Sequence, residues 1–234
     1  MKIAVITLGT KNISEYSRYS FDINKAYCEK HGYTYIQYND IIDSSRPPAW
    51  SKILAIKNHI DAFDWLMWID ADAIFYNHDI RIEERIDEQF NLIISKGCGD
   101  TWGDVNIPDN ANLNTGVFLI RGKVKWSVDL LNNIYGRTNR LNHRWWENQA
   151  FSDIYLENKL EINGKIKVVD QHLLNGYENT LYGYFDFHHE QYTLHWAGMN
   201  EEDRKHMAKI RHSEFVQSKF SGEKKKNRVI INVF

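Results

Sequence analysis

Two aspartates separated by one alanine lie between two apolar runs of the chain. Residues 63–69 form the first run, Asp70-Ala71-Asp72 ends it, and residues 73–76 form the second run. Because side chains two positions apart in a strand point to the same side of a sheet, the two carboxylates would lie together at the strand tip. Burying two carboxylates is costly without a counter-charge, and a divalent cation on oxygen ligands supplies one. The pattern therefore predicts a metal site at the end of a buried strand.

The composition is typical of a folded domain with no general affinity for nucleic acid and no membrane span. Hydrophobic residues make up 43% of the 234 residues, charged residues 26%, and the net charge is −2. No apolar stretch reaches the ~18 residues of a membrane span. Because the first predicted strand starts at residue 2, we expect no signal peptide. We expect one domain over residues 1–220, then a basic turn and a possible last strand over 221–234.

Strand and helix patterns alternate along the chain, which predicts an α/β sheet. A polar loop at 97–112 separates two of the predicted strands, and loops of that length are usually functional or mobile. Besides the strand that ends at residue 69, strands are predicted at 2–8, 33–38, 91–95, 113–121, 165–170 and 192–196, and helices at 13–30, 49–63, 82–89, 124–135, 147–158 and 201–219.

Three polar segments fall at the ends of predicted strands. They are Thr7-Leu8-Gly9-Thr10, Asp70-Ala71-Asp72 and His195-Trp196-Ala197-Gly198. Ligands of α/β sheets bind outside the carboxyl ends of the strands. We therefore expect these three segments to converge on one ligand site.

Six segments of the chain resemble, in order, sequence elements of glycosyltransferase family 34. This family contains the fungal α-galactosyl- and α-mannosyltransferases and the plant xyloglucan α-xylosyltransferases. The resemblance covers roughly residues 1–200. The segments are 24–33 (NKAYCEKHGY), 50–53 (WSKI), 64–73 (DWLMWIDADA), 113–121 (LNTGVFLIR), 146–151 (WENQAF) and 195–198 (HWAG).

The resemblance implies a GT-A fold, which is a mixed sheet flanked by helices, together with a nucleotide-sugar donor and Mn²⁺. The metal ligands would be Asp70, Asp72 and His195, with Asp70 also near the donor ribose. One imidazole added to carboxylate oxygens suits Mn²⁺ better than Ca²⁺ or Mg²⁺, although Mg²⁺ is an alternative. The metal would bind the donor diphosphate and act as a Lewis acid on the leaving group.

Further residues would bind the donor, for which a UDP-sugar is expected. Lys52 would add a second cation near the phosphates, and Asn114, a polar residue in an apolar strand, would hydrogen-bond the sugar hydroxyls. The remaining donor-site residues are expected where backbone approaches the nucleotide: Thr7, Leu8, Gly9, Ala71 and Gly198.

The resemblance also implies retention of the anomeric configuration, with the reaction centre at Glu147, Asn148 and Gln149. Glu147 would attack the anomeric carbon or stabilise its positive charge, and the neighbouring amides leave the register open by one residue. Alternatively, a base in the 100–109 loop, at Asp100, Asp104 or Asp109, would make the enzyme inverting.

Two alternatives from other classes stay open. A glycoside hydrolase also needs paired carboxylates, and a glycan- or nucleotide-sugar-binding domain would need no turnover. For a transferase, the acceptor would be an oligosaccharide or glycan. The two cysteines, Cys28 and Cys98, form no disulfide framework. We expect a cytoplasmic enzyme, with a catalytic fragment of a Golgi luminal protein as the alternative.

Overall fold

The structure is a computed structural model that describes residues 1–97, 113–178 and 191–221. Several predicted features therefore lie outside the described residues. They are the aspartates of the polar loop (Asp100, Asp104 and Asp109), Cys98, and the basic tail from residue 222 onward.

A six-stranded mixed sheet forms the centre of the molecule, as predicted. Its strand order is β2-β1-β3-β6-β5-β7. Strands β1, β2 and β3 run parallel, β6 runs antiparallel to its neighbours β3 and β5, and β7 runs parallel to β5. The strands are β1 (Ile3–Leu8), β2 (Thr34–Tyr38), β3 (Trp65–Ile69), β5 (Leu92–Lys96), β6 (Leu113–Arg121) and β7 (Ile166–Val169).

Strand β3 is apolar throughout because both of its faces are covered. Leu66 and Trp68 pack into one hydrophobic cluster, and Trp65, Met67 and Ile69 pack into another. A strand covered on both faces reads as a continuous apolar run instead of an alternating one. The run therefore ends where the chain leaves the two cores, and that is the position of Asp70.

The helices lie on both sides of this sheet. Helix α1 ends at Gly32, whose φ of 75° is the left-handed conformation that glycine adopts without strain. The helices are α1 (Ser14–His31), α2 (Ser51–Lys57), α3 (Lys125–Tyr135), α4 (Trp146–Leu156), α5 (Gln171–Leu174) and α6 (Glu201–Ser221).

Two predicted helices differ from those in the structure. The helix predicted at 49–63 is wrong in its second half, because residues 58–62 form turns and the carbonyl of Ile60 accepts a hydrogen bond from Lys123 N at 2.9 Å. The helix predicted at 82–89 is a single 3₁₀ turn, Ile82–Arg85. The chain returns to an extended conformation at Ile86, whose φ and ψ are −82° and 136°.

A small second sheet pairs the strand that follows β3 with the strand that precedes α6. Its order is β4-β9-β8, with β4 (Ala73–Phe75) antiparallel to β9 (Thr193–His195) and β8 (Gly176–Tyr177) parallel to β9. In this register Ala73 lies opposite His195. The sheet thus brings His195 next to the aspartate pair.

None of the helices in the described ranges combines the length and the apolar character that crossing a membrane requires.

His78, which follows β4, packs against α1 and α6, and its protonation makes the stability of the fold depend on pH. Its ring lies 5.4 Å from that of Tyr27 in α1 and 5.6 Å from that of Phe215 in α6. Burial, together with the nearby charge of Lys30, lowers the pKa of His78 to about 4, from an ordinary value of 6.5. The stability contributed by neutral His78 is therefore complete above pH 6.5 and is lost as the pH falls towards 4.

We predict that His78→Gln makes the free energy of unfolding less sensitive to acid. Between pH 7 and pH 5 the acid-induced loss should be smaller than in the wild type by about 2 kcal/mol, because one pK unit corresponds to ~1.4 kcal/mol. Urea unfolding at a series of pH values measures this difference. The exposed His206, replaced by Gln, is the matched control. Parallel stability curves for wild type and His78→Gln would contradict the prediction.

Candidate functional site

The two aspartates lie on a turn that connects the central sheet to the small sheet. Asp70 N donates to the Gly116 carbonyl of β6 at 2.8 Å, and Ala73 N donates to the Asp70 carbonyl at 3.0 Å. Trp196 N donates to the Asp72 carbonyl, also at 3.0 Å. The backbone of the pair is thus fixed by strands of both sheets. The carboxylates converge because of this turn, and not through the pleat of one continuous strand as the sequence suggested.

His195 completes a compact group of three possible ligands. Its Nε2 lies 3.3 Å from Asp72 Oδ1 and 3.9 Å from Asp70 Oδ2. One ligand atom from each residue lies within 4.8 Å of the others. Two carboxylate oxygens and one imidazole nitrogen at these separations can bind a divalent cation. The predicted metal ligands are therefore brought together.

The orientation of His195 follows from a chain of hydrogen bonds that ends at a backbone amide. Gly116 N donates to Asn114 Oδ1 at 2.7 Å, so this oxygen is fixed as an acceptor. Asn175 Nδ2 donates to the same oxygen at 2.9 Å, which places Asn175 Oδ1 3.0 Å from His195 Nδ1. His195 Nδ1 must then carry a proton that it donates to Asn175 Oδ1. Its Nε2 faces the two aspartates and is the nitrogen that a metal ion would bind.

Each aspartate uses one oxygen to bind a cation of the protein and directs the other towards His195. Asp70 Oδ1 lies 3.1 Å from Lys52 Nζ, while Oδ2 faces His195. Asp72 Oδ2 lies 2.9 Å from Arg204 Nε, while Oδ1 faces His195. The arrangement fixes which oxygen of each carboxylate is available to a metal ion.

Lys52 is a buried cation at the back of this group. Its side chain is 4% exposed, and Nζ donates to Thr115 O and to Glu147 Oε1, both at 2.9 Å. Trp68 Nε1 also donates to Asp70 Oδ1, at 2.6 Å. Burial acts to lower the pKa of Lys52, but the charges of Asp70 and Glu147 outweigh it and raise the pKa. Lys52 is therefore charged, and its three N–H groups are all directed at acceptors within the protein.

Asp72 is held ionised by its neighbours. Burial acts to raise its pKa, but His195 and Arg204 outweigh that effect and hold the pKa well below its usual range. Burial raises the pKa of Asp70, and Lys52 only partly offsets it. The two carboxylates of the pair therefore differ in how readily they take up a proton.

The three candidate reaction-centre residues begin α4 but point in different directions. Glu147 is buried, and its described hydrogen bonds, from Lys52 and from Thr115 Oγ1 at 3.3 Å, both go to Oε1. Asn148 binds the backbone of β6 at Thr115 N and Leu113 O, at 2.8 and 3.1 Å. Gln149 Nε2 donates to Asp153 on its own helix at 3.0 Å. Of the three, Glu147 lies against the aspartate group through the ammonium of Lys52.

The remaining donor-site candidates lie at the same edge of the sheets. Thr7 and Leu8 end β1 beside β3, and within the described ranges the buried Oγ1 of Thr7 has no hydrogen-bond partner. Gly9 N donates to Tyr38 O at 3.0 Å, which closes the end of β1 against β2. Ala71 is buried between the aspartates, and Gly198 has a φ of 75° in the turn after His195. Their roles in donor binding stay predictions.

Three residues make contacts in the site that the sequence analysis did not predict. Gly116 lies against His195, because an added Cβ would come within 2.2 Å of the imidazole Cε1. A glycine inside a strand is a usable signal for such a close approach. Asn175 and Arg204 lie in segments without any recognisable motif, so only the structure identifies them.

Residues 4–96 match the family model of the galactosyl transferase GMA12/MNN10 family, which is glycosyltransferase family 34. The matched part contains the first three of the six segments, so the resemblance found in the sequence is confirmed. Glycosyltransferase 6 of Arabidopsis thaliana is 25% identical over 89% of this chain and 54% of its own length. Curated relatives are covered only in part by this chain, over between 20% and 57% of their lengths.

Two solved structures share the fold. One is a glycosyltransferase involved in the glycosylation of the major capsid of PBCV-1, with a TM-score of 0.66, 17% identity, and coverage of 90% of this chain and 100% of that one. The other is the galactosyltransferase LgtC in complex with donor and acceptor sugar analogs, with a TM-score of 0.56, 10% identity, and coverage of 88% and 95%. The chain has the GT-A fold, as the resemblance implied.

We predict that Gly116→Ala destabilises the protein through its contact with His195. The φ angle at Gly116 lies outside the left-handed region, so other residues can adopt it without strain. The expected cost of about 1–3 kcal/mol is therefore steric. In a double-mutant cycle with His195→Ala, the double mutant should lose less stability than the sum of the two single losses, by at least about 1 kcal/mol. The reason is that removing the ring makes room for the methyl group. Denaturant unfolding measures all four proteins.

Gly164→Ala is the matched control for this cycle, since its added Cβ would meet nothing within 4 Å. Additive costs of Gly116→Ala and His195→Ala would show that the imidazole does not press on Gly116.

Proposed function

We propose that the chain is the catalytic domain of a metal-dependent glycosyltransferase that transfers a sugar from a UDP-sugar to a hydroxyl group of an oligosaccharide or glycan. The observation that carries the proposal is the convergence of Asp70, Asp72 and His195 within 4.8 Å at the strand-end edge of a GT-A fold. The names of the relatives and structural neighbours, all glycosyltransferases, support it. A cytoplasmic location stays a prediction.

The donor atoms of the site favour Mn²⁺, with Mg²⁺ as the alternative. Asp70 Oδ2, Asp72 Oδ1 and His195 Nε2 would hold the ion, and the Nδ1 hydrogen bond to Asn175 fixes the imidazole for that role. When bound, the ion would neutralise charge on the diphosphate of the donor.

The chain's own residues would organise the donor around that point. Asp70, fixed by Lys52 and Trp68, would also be near the ribose. Lys52 would act on the donor through Asp70, because its ammonium group is buried and its N–H groups already have acceptors. Asn114, whose Oδ1 is engaged by Gly116 N and by Asn175, belongs to the same surface and would face the sugar.

For the chemical step we propose retention of configuration at the anomeric carbon. The bond from this carbon to the phosphate oxygen breaks, a bond to the acceptor oxygen forms, and the acceptor proton passes to the leaving phosphate. Glu147 would stabilise the positive charge on the sugar; if it instead attacks the carbon and displaces the phosphate, the acceptor oxygen then displaces Glu147 from the carbon. Its position next to Lys52 and Asp70 supports this role over Asn148 and Gln149, whose side chains bind β6 and Asp153.

The first test is whether UDP binding requires the metal. In calorimetry, UDP should bind in the presence of Mn²⁺ and lose at least about 100-fold in affinity with EDTA or in Asp72→Ala, since the ion and its charged ligand are both needed. Asp61→Ala, which removes an exposed carboxylate after α2, is the control. Equal UDP affinity with and without metal would disprove the metal assignment.

The second test concerns Glu147. We predict that Glu147→Gln binds the donor with near-normal affinity but loses at least ~100-fold in turnover, which is typical of removing one directed electrostatic contact in a reaction centre. Gln149→Ala tests the register, since Gln149 faces Asp153. A large loss of turnover in Gln149→Ala together with a small one in Glu147→Gln would contradict the assignment.

The third test is the anomeric form of the product. NMR of the product made from a UDP-α-sugar should show an α linkage. A β linkage would contradict retention and the role of Glu147, and release of free sugar from a glycan without any nucleotide sugar would indicate a hydrolase.

A further inference from the structure

Arg204 of α6 is bound to a candidate metal ligand, and neither the family motifs nor the sequence analysis gives it a role. Its Nε lies 2.9 Å from Asp72 Oδ2 and donates to the Trp196 carbonyl at 3.3 Å. Trp196 N in turn donates to the Asp72 carbonyl at 3.0 Å. These contacts form a closed ring of Asp72, Trp196 and Arg204 that joins α6 to the aspartate turn.

The start of α6 fixes the base of the Arg204 side chain. Asn200 Oδ1 accepts from Asp203 N at 2.9 Å, its Nδ2 donates to Asp203 Oδ2 at 2.7 Å, and its carbonyl accepts from Arg204 N at 3.1 Å. The helix is thus capped one turn before Arg204. The guanidinium group reaches Asp72 from a rigid element.

Arg204 uses only one edge of its guanidinium group for these contacts. In the part of the chain that the structure describes, neither Nη1 nor Nη2 makes a hydrogen bond, and the shortest approach to Asp72 is through Nε. The side chain is 26% exposed, so part of it is accessible to a ligand. A planar edge with several N–H groups matches the oxygens of a phosphate. Arg204 can therefore accept an anion at the same place where it holds Asp72.

A metal ion at Asp72 would change the balance of charge around Arg204. Asp72 is the described counter-ion of Arg204, and it would then share its negative charge with a divalent cation. Repulsion between the guanidinium group and the ion would oppose metal binding. A diphosphate bound to the ion restores negative charge beside Arg204 and removes that repulsion.

We propose that Arg204 couples metal binding to diphosphate binding. It is the counter-ion of Asp72 in the metal-free protein and becomes a ligand of the donor diphosphate when the ion is present. The proposal rests on the proposed nucleotide-sugar site and adds how metal binding and diphosphate binding depend on each other. Metal alone binds against the charge of Arg204, diphosphate without metal lacks the ion, and the two together bind with positive cooperativity.

The test measures a thermodynamic cycle by calorimetry and by Mn²⁺ electron paramagnetic resonance. The affinity for Mn²⁺ alone, for UDP in EDTA, and for UDP with saturating Mn²⁺ is compared in wild type and Arg204→Gln. In the variant, Mn²⁺ alone should bind about 3- to 10-fold more tightly, and UDP with Mn²⁺ about 10- to 100-fold more weakly. Uridine, which has no phosphate, should bind the two proteins equally.

Two further variants separate the role of Arg204 from general effects. Lys209→Gln makes the same charge change on an exposed position of α6 and should leave all affinities unchanged. Arg204→Lys keeps the charge without the planar edge and should recover part of the UDP affinity. Weaker binding of Mn²⁺ alone in Arg204→Gln would overturn the proposal, because Arg204 would then merely brace Asp72. Equal losses for uridine and UDP would overturn it as well.

Inorganic pyrophosphate distinguishes failure of this inference from failure of the proposed function. If the wild type binds pyrophosphate with Mn²⁺ through Arg204 but shows no affinity for UDP, the coupling holds and the UDP assignment falls. If UDP binds with Mn²⁺ and Arg204→Gln changes neither the Mn²⁺ nor the UDP affinity, the donor site holds and the coupling falls.

Discussion

The buried ammonium group of Lys52 is the interaction on which the site depends. It comes from α2 and binds the residue after β3, a carbonyl of β6 and the first turn of α4: Asp70, Thr115 and Glu147. Removing one partner from a buried ion group leaves an uncompensated charge and costs about 3–5 kcal/mol. The geometry of the aspartate turn is therefore tied to the packing of α2 and α4 against the central sheet.

Acidic and basic side chains alternate across the site. Each acidic side chain has a cation on one oxygen, and each aspartate keeps its other oxygen directed at His195. This order leaves His195 Nε2 facing two carboxylate oxygens, an arrangement that a divalent cation would stabilise. The order along the site is Glu147, Lys52, Asp70, His195, Asp72 and Arg204.

Much of the fold could be predicted from the sequence because its apolar runs coincide with buried strands. The strand at 113–121 is found as β6 with the same bounds, and the run before Asp70 is β3. The end of α2 was missed because tertiary contacts, such as Ile60 O with Lys123 N, decide it. β8 and α5 are too short to leave a periodic pattern. Their positions follow from pairing with β9 and packing near β5.

The site could be predicted as far as its motifs extend. Asp70 and Asp72 follow β3 and His195 is the last residue of β9, and the sequence shows them as polar ends of buried segments. Asn175 and Arg204 act through contacts between residues far apart in the chain, which no local pattern records. The sequence shows Gly116 as a glycine within a predicted strand, but it does not show that the His195 ring packs against it.

The most direct measurement is a crystal structure of the protein with Mn²⁺ and UDP, with anomalous diffraction recorded at the manganese edge. We predict one anomalous peak at about 2 Å from Asp72 Oδ1 and His195 Nε2, and next to Asp70 Oδ2, with the UDP diphosphate bound to it. UDP bound at this edge without an anomalous peak, or a manganese ion bound elsewhere with the diphosphate, would contradict the proposed metal site.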